Sequence, residues 1–166
     1  MSAPNTVNDS KPIDLGFSMP AEWAPHSGCW MGWPARESIW HGHIEGARSD
    51  YVRVARAIAQ FEPVTMLVNP EHLADATSRC GPGVRMAAVP MDDSWLRDSG
   101  PTFLLDAAGK RAASLFTFNA WGAKCRPFDR DAALGARVAA LAEAPAFRSE
   151  LIVEGGGFLT DGEGTL

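Results

Sequence analysis

Residues 91–101, Met-Asp-Asp-Ser-Trp-Leu-Arg-Asp-Ser-Gly-Pro, place four charges and one indole just ahead of a strand-like run, Thr102-Phe-Leu-Leu-Asp106. The carboxylates at 92, 93 and 98 flank Trp95. Each acid can accept two parallel N–H bonds and the ring face attracts positive charge, which together make a receptor for a flat cation such as a guanidinium. The same residues also suit a plain polar loop with a capping Asp and a half-buried Trp. The stretch marks a change of pattern. Strands and helices alternate before it, and a hairpin follows it.

On the N-terminal side, Gly28-Cys-Trp-Met-Gly-Trp33 is a short apolar run stopped by Pro34 and reads as a buried strand, its indoles packing in the core or lining a pocket. Residues 46–61 space Tyr51, Val54, Ala55, Ile58 and Ala59 as one face of an amphipathic helix, capped at Ser49-Asp50 or begun slightly earlier. Pro63–Val68 is a strand, and Asn69-Pro70 supplies a cap and an N1 proline for a helix over 70–78. Cys80–Gly83 turns the chain into a strand over Val84–Val89. The 1–18 segment is a polar, turn-rich lead-in, which leaves 19–166 as the folded part.

On the C-terminal side, Pro101–Asp106 and Ala112–Phe118 form a hairpin through Ala107–Lys110. Asn119-Ala-Trp121-Gly122 is a loop at a strand end, carrying an amide and an indole. Asp129–Ala142 is a helix, ended by Pro145. Leu151–Glu154 is a strand running into Gly155-Gly-Gly157. Phe158–Thr160 and Thr165-Leu166 look like a hairpin whose second strand is cut after two residues, so the expectation is an N-terminal part of a longer protein. The class is α/β.

The net charge of −5 argues against nucleic acid as a partner, since phosphate binding needs a basic face, and is compatible with a cationic ligand. The first residues lack the basic and apolar regions of a signal peptide, and no apolar run approaches the ~20 residues that span a bilayer. Cys29, Cys80 and Cys125 form no close-spaced pair, so neither a disulfide framework nor a zinc site is indicated and a cytoplasmic location is expected. His41-Gly-His43 lacks a third ligand nearby and is not read as a metal site.

Glu154 adds a carboxylate at a strand end. The glycines behind it lack the lysine and helix of a phosphate loop and instead allow close approach of backbone or ligand. A nucleophile is harder to find. Cys29 reads as a packed thiol, Cys80 lies in a turn without a base, and Cys125 has cationic neighbours in Lys124 and Arg126 that favour thiolate. Ser94 and Ser99 lack a nucleophile elbow. The residues alone describe a cation-binding half-site without a chemical engine.

Five segments in order resemble the agmatine deiminase family, within the wider guanidine-modifying group that includes bacterial peptidyl-arginine deiminases. They are Met19-Pro-Ala-Glu-Trp23 with Pro25-His26, Trp30-Met31 with Trp33-Pro34, Asp92–Phe103, Phe118-Asn-Ala-Trp-Gly122, and Glu154-Gly-Gly-Gly157 with Asp161, Gly162, Gly164 and Thr165. The resemblance implies a partial, truncated α/β propeller of ββαβ-type units, pentein-like. It implies hydrolysis of agmatine to N-carbamoylputrescine and ammonia, a step of putrescine and polyamine synthesis, through a Cys thiolate with His as general acid/base. No metal or organic cofactor is implied. Asp98 and Glu154 match the acids that bind the guanidinium; Asp92, Trp95, Asn119 and Trp121 match substrate-binding positions. The family's His-x-Asp and nucleophilic Cys follow the point where this sequence stops, so the chain alone is expected to be inactive. An arginine or peptidyl-arginine deiminase is the nearest alternative, favoured if Arg36 or Arg126 counters a substrate carboxylate. A non-catalytic guanidine- or polyamine-binding fragment is another, and homo-oligomerisation is left open.

Overall fold

A computed structural model describes residues 10–166. Two compact units divide them. One holds 25–96, and the other joins the segment ending at Ala24 to 97–166.

In the 25–96 unit, β1 (Cys29–Gly32), β2 (Val64–Val68) and β3 (Val84–Ala88) form a parallel sheet in the order β1-β2-β3. Parallel neighbours need helical crossovers. The first contains the helix Ile44–Ile58, the second the helix Leu73–Cys80. The central β2 is covered on both sides, which is why Val-Thr-Met-Leu-Val reads as continuous apolar sequence. Met66, Leu67, Val68, Ala55 and Trp33 are fully buried, so core packing is the role of that indole.

The first crossover helix starts at Ile44, earlier than a Ser49-Asp50 cap would place it. Ser49 lies inside the helix and its hydroxyl donates to the Glu45 carbonyl at 2.8 Å, the back-bonding a mid-helix serine can make. Asn69 does not cap the next helix either. Its side chain is buried, donates to the Met91 carbonyl (3.0 Å) and accepts from the Met91 N–H (2.7 Å), tying the end of β2 to the start of the acidic stretch. Arg56 donates to the carbonyls of Cys80 (3.1 Å) and Arg79 (2.6 Å), closing the last turn of the second helix with a cation.

The other unit contains β4 (Thr102–Leu105), β5 (Arg111–Thr117) and β6 (Ala146–Ile152) in that order. The first pair is antiparallel and the second parallel, linked through helical segments at Asp129–Ala132 and Leu134–Leu141, so this unit has the ββαβ order expected. Asp106 makes the hairpin, its Oδ1 accepting from the N–H groups of Ala108 (2.9 Å) and Lys110 (2.8 Å), with Gly109 left-handed at φ 77°. One sheet face packs Ala113, Leu115 and Ala146 against Ala139 and Ala144. The other packs Leu104, Ala112 and Phe147 against Phe17.

Three expectations need correction here. The lead-in over 1–18 is ordered within its described part: a 3-10 turn spans Pro12–Leu15, Phe17 is buried and Ser18 exchanges two backbone bonds with Leu105; residues 1–9 lie outside the described residues. The last strand begins at Ala146 and stops at Ile152, before Glu154, because its pairing with β5 starts opposite Ala113. Gly155–Gly157 is a 3-10 turn, and 158–166 forms no strands; Asp161 organises this end by accepting from the N–H groups of Glu163 (2.8 Å) and Thr165 (3.1 Å). Those bonds, the Glu163 one foremost, hold its carboxyl below the usual carboxylate range.

Candidate functional site

The stretch 91–101 belongs to both units, since the chain passes from one to the other between Leu96 and Arg97. Its two halves are anchored separately.

In the 25–96 unit, Asp93 is buried and points inward. Its Oδ1 accepts from the backbone N–H groups of Ala35 (3.2 Å) and Arg36 (3.4 Å) and from the indole N–H of Trp40 (3.3 Å). A buried carboxylate needs such donors. The three acids therefore do not form one open receptor: Asp93 is a structural anchor. Asp92 pairs with Arg36 at 3.6 Å, both side chains being largely covered. Gly32 packs so closely on Ser94 that an added Cβ would come within 3.1 Å of its Cα, and the Ser94 hydroxyl meets the Tyr51 hydroxyl at 3.2 Å. Trp95 keeps 37% of its surface exposed and is stacked on Trp40, with centroids 5.9 Å apart and planes 6° apart.

Trp33 has two guanidinium groups near its ring, Arg48 at 5.8 Å and Arg79 at 5.6 Å from the centroid. Glu45 accepts from both arginines at 2.9 and 2.7 Å, and the Arg79 bond is the main cause holding its carboxyl below the usual range. Arg48 also donates to the Pro34 carbonyl (3.1 Å), fixing the turn that feeds N–H groups to Asp93.

In the other unit three of the recognised motifs meet. Asp98 Oδ1 accepts from the Gly156 N–H at 2.9 Å, while Arg97 donates to the Gly155 carbonyl at 3.0 Å and pairs with Glu22. The glycines are required by this clasp. A methyl at Gly155 would run into the Arg97 carbonyl oxygen, one at Gly156 into the Asp98 carboxylate, and one at Gly162 would come within 2.7 Å of the Ala21 nitrogen. Asp98 Oδ2 has no hydrogen-bond partner among the described residues, and neither does the Glu154 carboxylate. Arg97 and Glu22 were not singled out from sequence, although both sit inside quoted motifs.

Phe118–Ala123 closes the same end of the sheet. Asn119 Oδ1 accepts from the Gly122 N–H at 2.8 Å, and Ala120, Trp121, Gly122 and Ala123 are all left-handed, with φ between 54° and 78°. Non-glycine residues there cost about 1–2 kcal/mol each, so the surroundings must enforce the turn. The Trp121 ring meets Phe118 edge-on at 5.4 Å. The start of β4 and the ends of β5 and β6 thus gather Asp98, Asn119, Trp121 and Glu154 at one end of the β4-β5-β6 sheet. A cavity of about 720 Å³ opens there, lined by Ser99, Phe118, Asp129, Arg148 and Glu150 among others and by none of those four.

Burial pushes Cys29 and Cys80 upward, with Glu62 adding to the effect at Cys29, so both remain thiols at neutral pH. Cys125 is half-buried. Among the described residues no group of three or more His, Cys, Asp or Glu is placed to hold a metal ion, and no helix is long and apolar enough to cross a membrane.

Comparison with known proteins agrees with the fold. Agmatine deiminase of Pseudomonas fluorescens is 40% identical over 167 residues, covering 97% of this chain and 45% of its relative. The solved structure of agmatine deiminase of Enterococcus faecalis matches with a TM-score of 0.92 at 30% identity, covering 96% of this chain and 45% of that one. The chain thus spans about half the length of these relatives. The family model described as Porphyromonas-type peptidyl-arginine deiminase matches residues 18–166, and the chain belongs to that family.

Proposed function

We propose that this chain carries the guanidinium-binding side of an agmatine deiminase, the whole reaction being agmatine and water to N-carbamoylputrescine and ammonia. The observation that carries the reading is the clasp at Asp98. One carboxylate oxygen is fixed by the Gly156 N–H while the other is left for a ligand, and the unengaged Glu154 lies two residues away from that glycine. Two acids of this kind suit a planar cation, which they bind through paired N–H bonds. Keeping the guanidinium protonated also keeps its central carbon electrophilic. Asn119 and Trp121 gather at the same sheet end as that acid pair, and the family resemblance adds Trp95, whose indole is exposed, and Asp92, which pairs with Arg36, as further substrate-binding positions.

The bond-breaking groups follow the family pattern: a Cys thiolate adds to the guanidinium carbon, ammonia leaves, and water releases the amidino-thioether with His as general acid/base. The high-lying thiols of Cys29 and Cys80 support assigning that attack to neither. Agmatine is favoured over arginine by the names of the relatives and by the engagement of Arg36 with Asp92, which removes a counter-group for a carboxylate. Cytoplasmic placement and a part in putrescine synthesis belong to the same reading. The test is product formation by the protein expressed from its whole gene, with agmatine and arginine side by side. N-carbamoylputrescine from agmatine is expected, and citrulline from arginine without agmatine turnover would replace the reading with an arginine deiminase.

A further inference from the structure

We propose that Trp40 and Asp93 are positioning residues that set the plane of Trp95 for the substrate cation; this rests on the agmatine reading above. Trp40 lies outside every motif that carries the family resemblance, yet three contacts converge on it. Its ring stacks on Trp95 at 5.9 Å and 6°, Tyr51 meets it edge-on at 6.1 Å and 87°, and its Nε1–H donates to the buried Asp93 carboxylate at 3.3 Å. Tyr51 is itself tied to Ser94, the residue before Trp95.

A lone indole on a loop rotates about two side-chain torsions, and ordering it costs free energy on ligand binding. Here that cost is met before the ligand arrives. Trp40 covers one face of Trp95, and the hydrogen bond to Asp93 fixes the rotation of Trp40 in its own plane. Asp93 in turn is held by two backbone N–H groups of the turn at 35–36, which Arg48 braces through the Pro34 carbonyl. Trp95 is thereby linked to the helix Ile44–Ile58. Trp40 touches no substrate; it acts through Trp95.

The experiment uses the protein expressed from its whole gene. Steady-state agmatine kinetics and far-UV circular dichroism, where stacked indoles give a paired exciton signal, are measured for Trp40→Phe, Trp95→Phe and the double variant. Each single change should remove the same exciton signal and raise KM roughly three- to tenfold with kcat within about twofold of the parent. The double variant should be no worse than the stronger single, since the two act as one unit. Asp93→Asn, which keeps an acceptor for the indole N–H, should retain the signal that Asp93→Ala loses. Multiplying KM effects in the double variant, or an unchanged KM in Trp40→Phe once the signal is gone, overturns the proposal. A parent without agmatine turnover sinks the substrate reading instead, and the exciton signal then decides alone whether Trp40 holds Trp95.

Discussion

The Arg97-Asp98 and Gly155-Gly156 clasp separates two effects that usually travel together. At Gly155 an added methyl meets the Arg97 carbonyl oxygen and comes within 3.4 Å of the carbonyl carbon, so backbone stands against backbone and no side chain can swing away. Relief requires the 154–157 turn to shift, which breaks the Arg97 bond to the Gly155 carbonyl. Overpacking of this kind costs about 1–3 kcal/mol, and a charge-assisted bond adds ~1 kcal/mol where the arginine is half exposed, as it is here. Gly155→Ala should therefore lose about 2–4 kcal/mol, read as a clearly lowered Tm. At Gly156 the obstacle is the end of the Asp98 side chain, which can rotate off. Gly156→Ala should cost at most about 1 kcal/mol, but it sends Asp98, the proposed guanidinium ligand, out of position, and a displacement of about 1 Å can lower turnover roughly 100-fold. Thermal unfolding and agmatine kcat/KM on the whole-gene protein give both numbers. Parental stability in Gly155→Ala, or parental kcat/KM in Gly156→Ala, would refute the clasp as the device that places Asp98.

Asn69→Ala should destabilise by about 2–4 kcal/mol in urea unfolding, because it strands the buried N–H and C=O of Met91 that Asn69 satisfies; a change under about 0.5 kcal/mol would show that the pair is not needed. Ala123→Gly should stabilise by about 0.5–1 kcal/mol, since residue 123 is left-handed at φ 61° and glycine carries no Cβ penalty there. A lower Tm in that variant would count against the left-handed turn.

Much of the fold was legible because its strands are either doubly buried, as Val64–Val68, or bounded by strong turn residues, as at Asp106-Gly109. What was misread shares one cause: a local signal outweighed by a distant partner. Ser49-Asp50 and Asn69-Pro70 have capping chemistry, but Ser49 back-bonds inside a longer helix and Asn69 serves Met91, 22 residues on. The strand Ala146–Ile152 has Arg148, Ser149 and Glu150 at its centre and no clean alternation, because pairing with β5 and not its own pattern defines it. At the candidate site, composition could count three acids around Trp95 but could not tell which face inward. Asp92 engages Arg36, Asp93 is buried and anchors the backbone at 35–36 and the Trp40 indole, and Asp98 is fixed through one oxygen by the Gly156 N–H. Glycines at 155–157 permit close approach, and the structure identifies what approaches at two of them: the Arg97 carbonyl and the Asp98 carboxylate.

The central claim is that Asp98 holds the guanidinium of agmatine, and the kcat/KM of Asp98→Ala in the whole-gene protein tests it most directly. Removing the carboxylate that pairs with the cation should lower agmatine kcat/KM by at least ~100-fold while Tm falls by no more than a few degrees. Near-parental kcat/KM in a folded Asp98→Ala variant would contradict it.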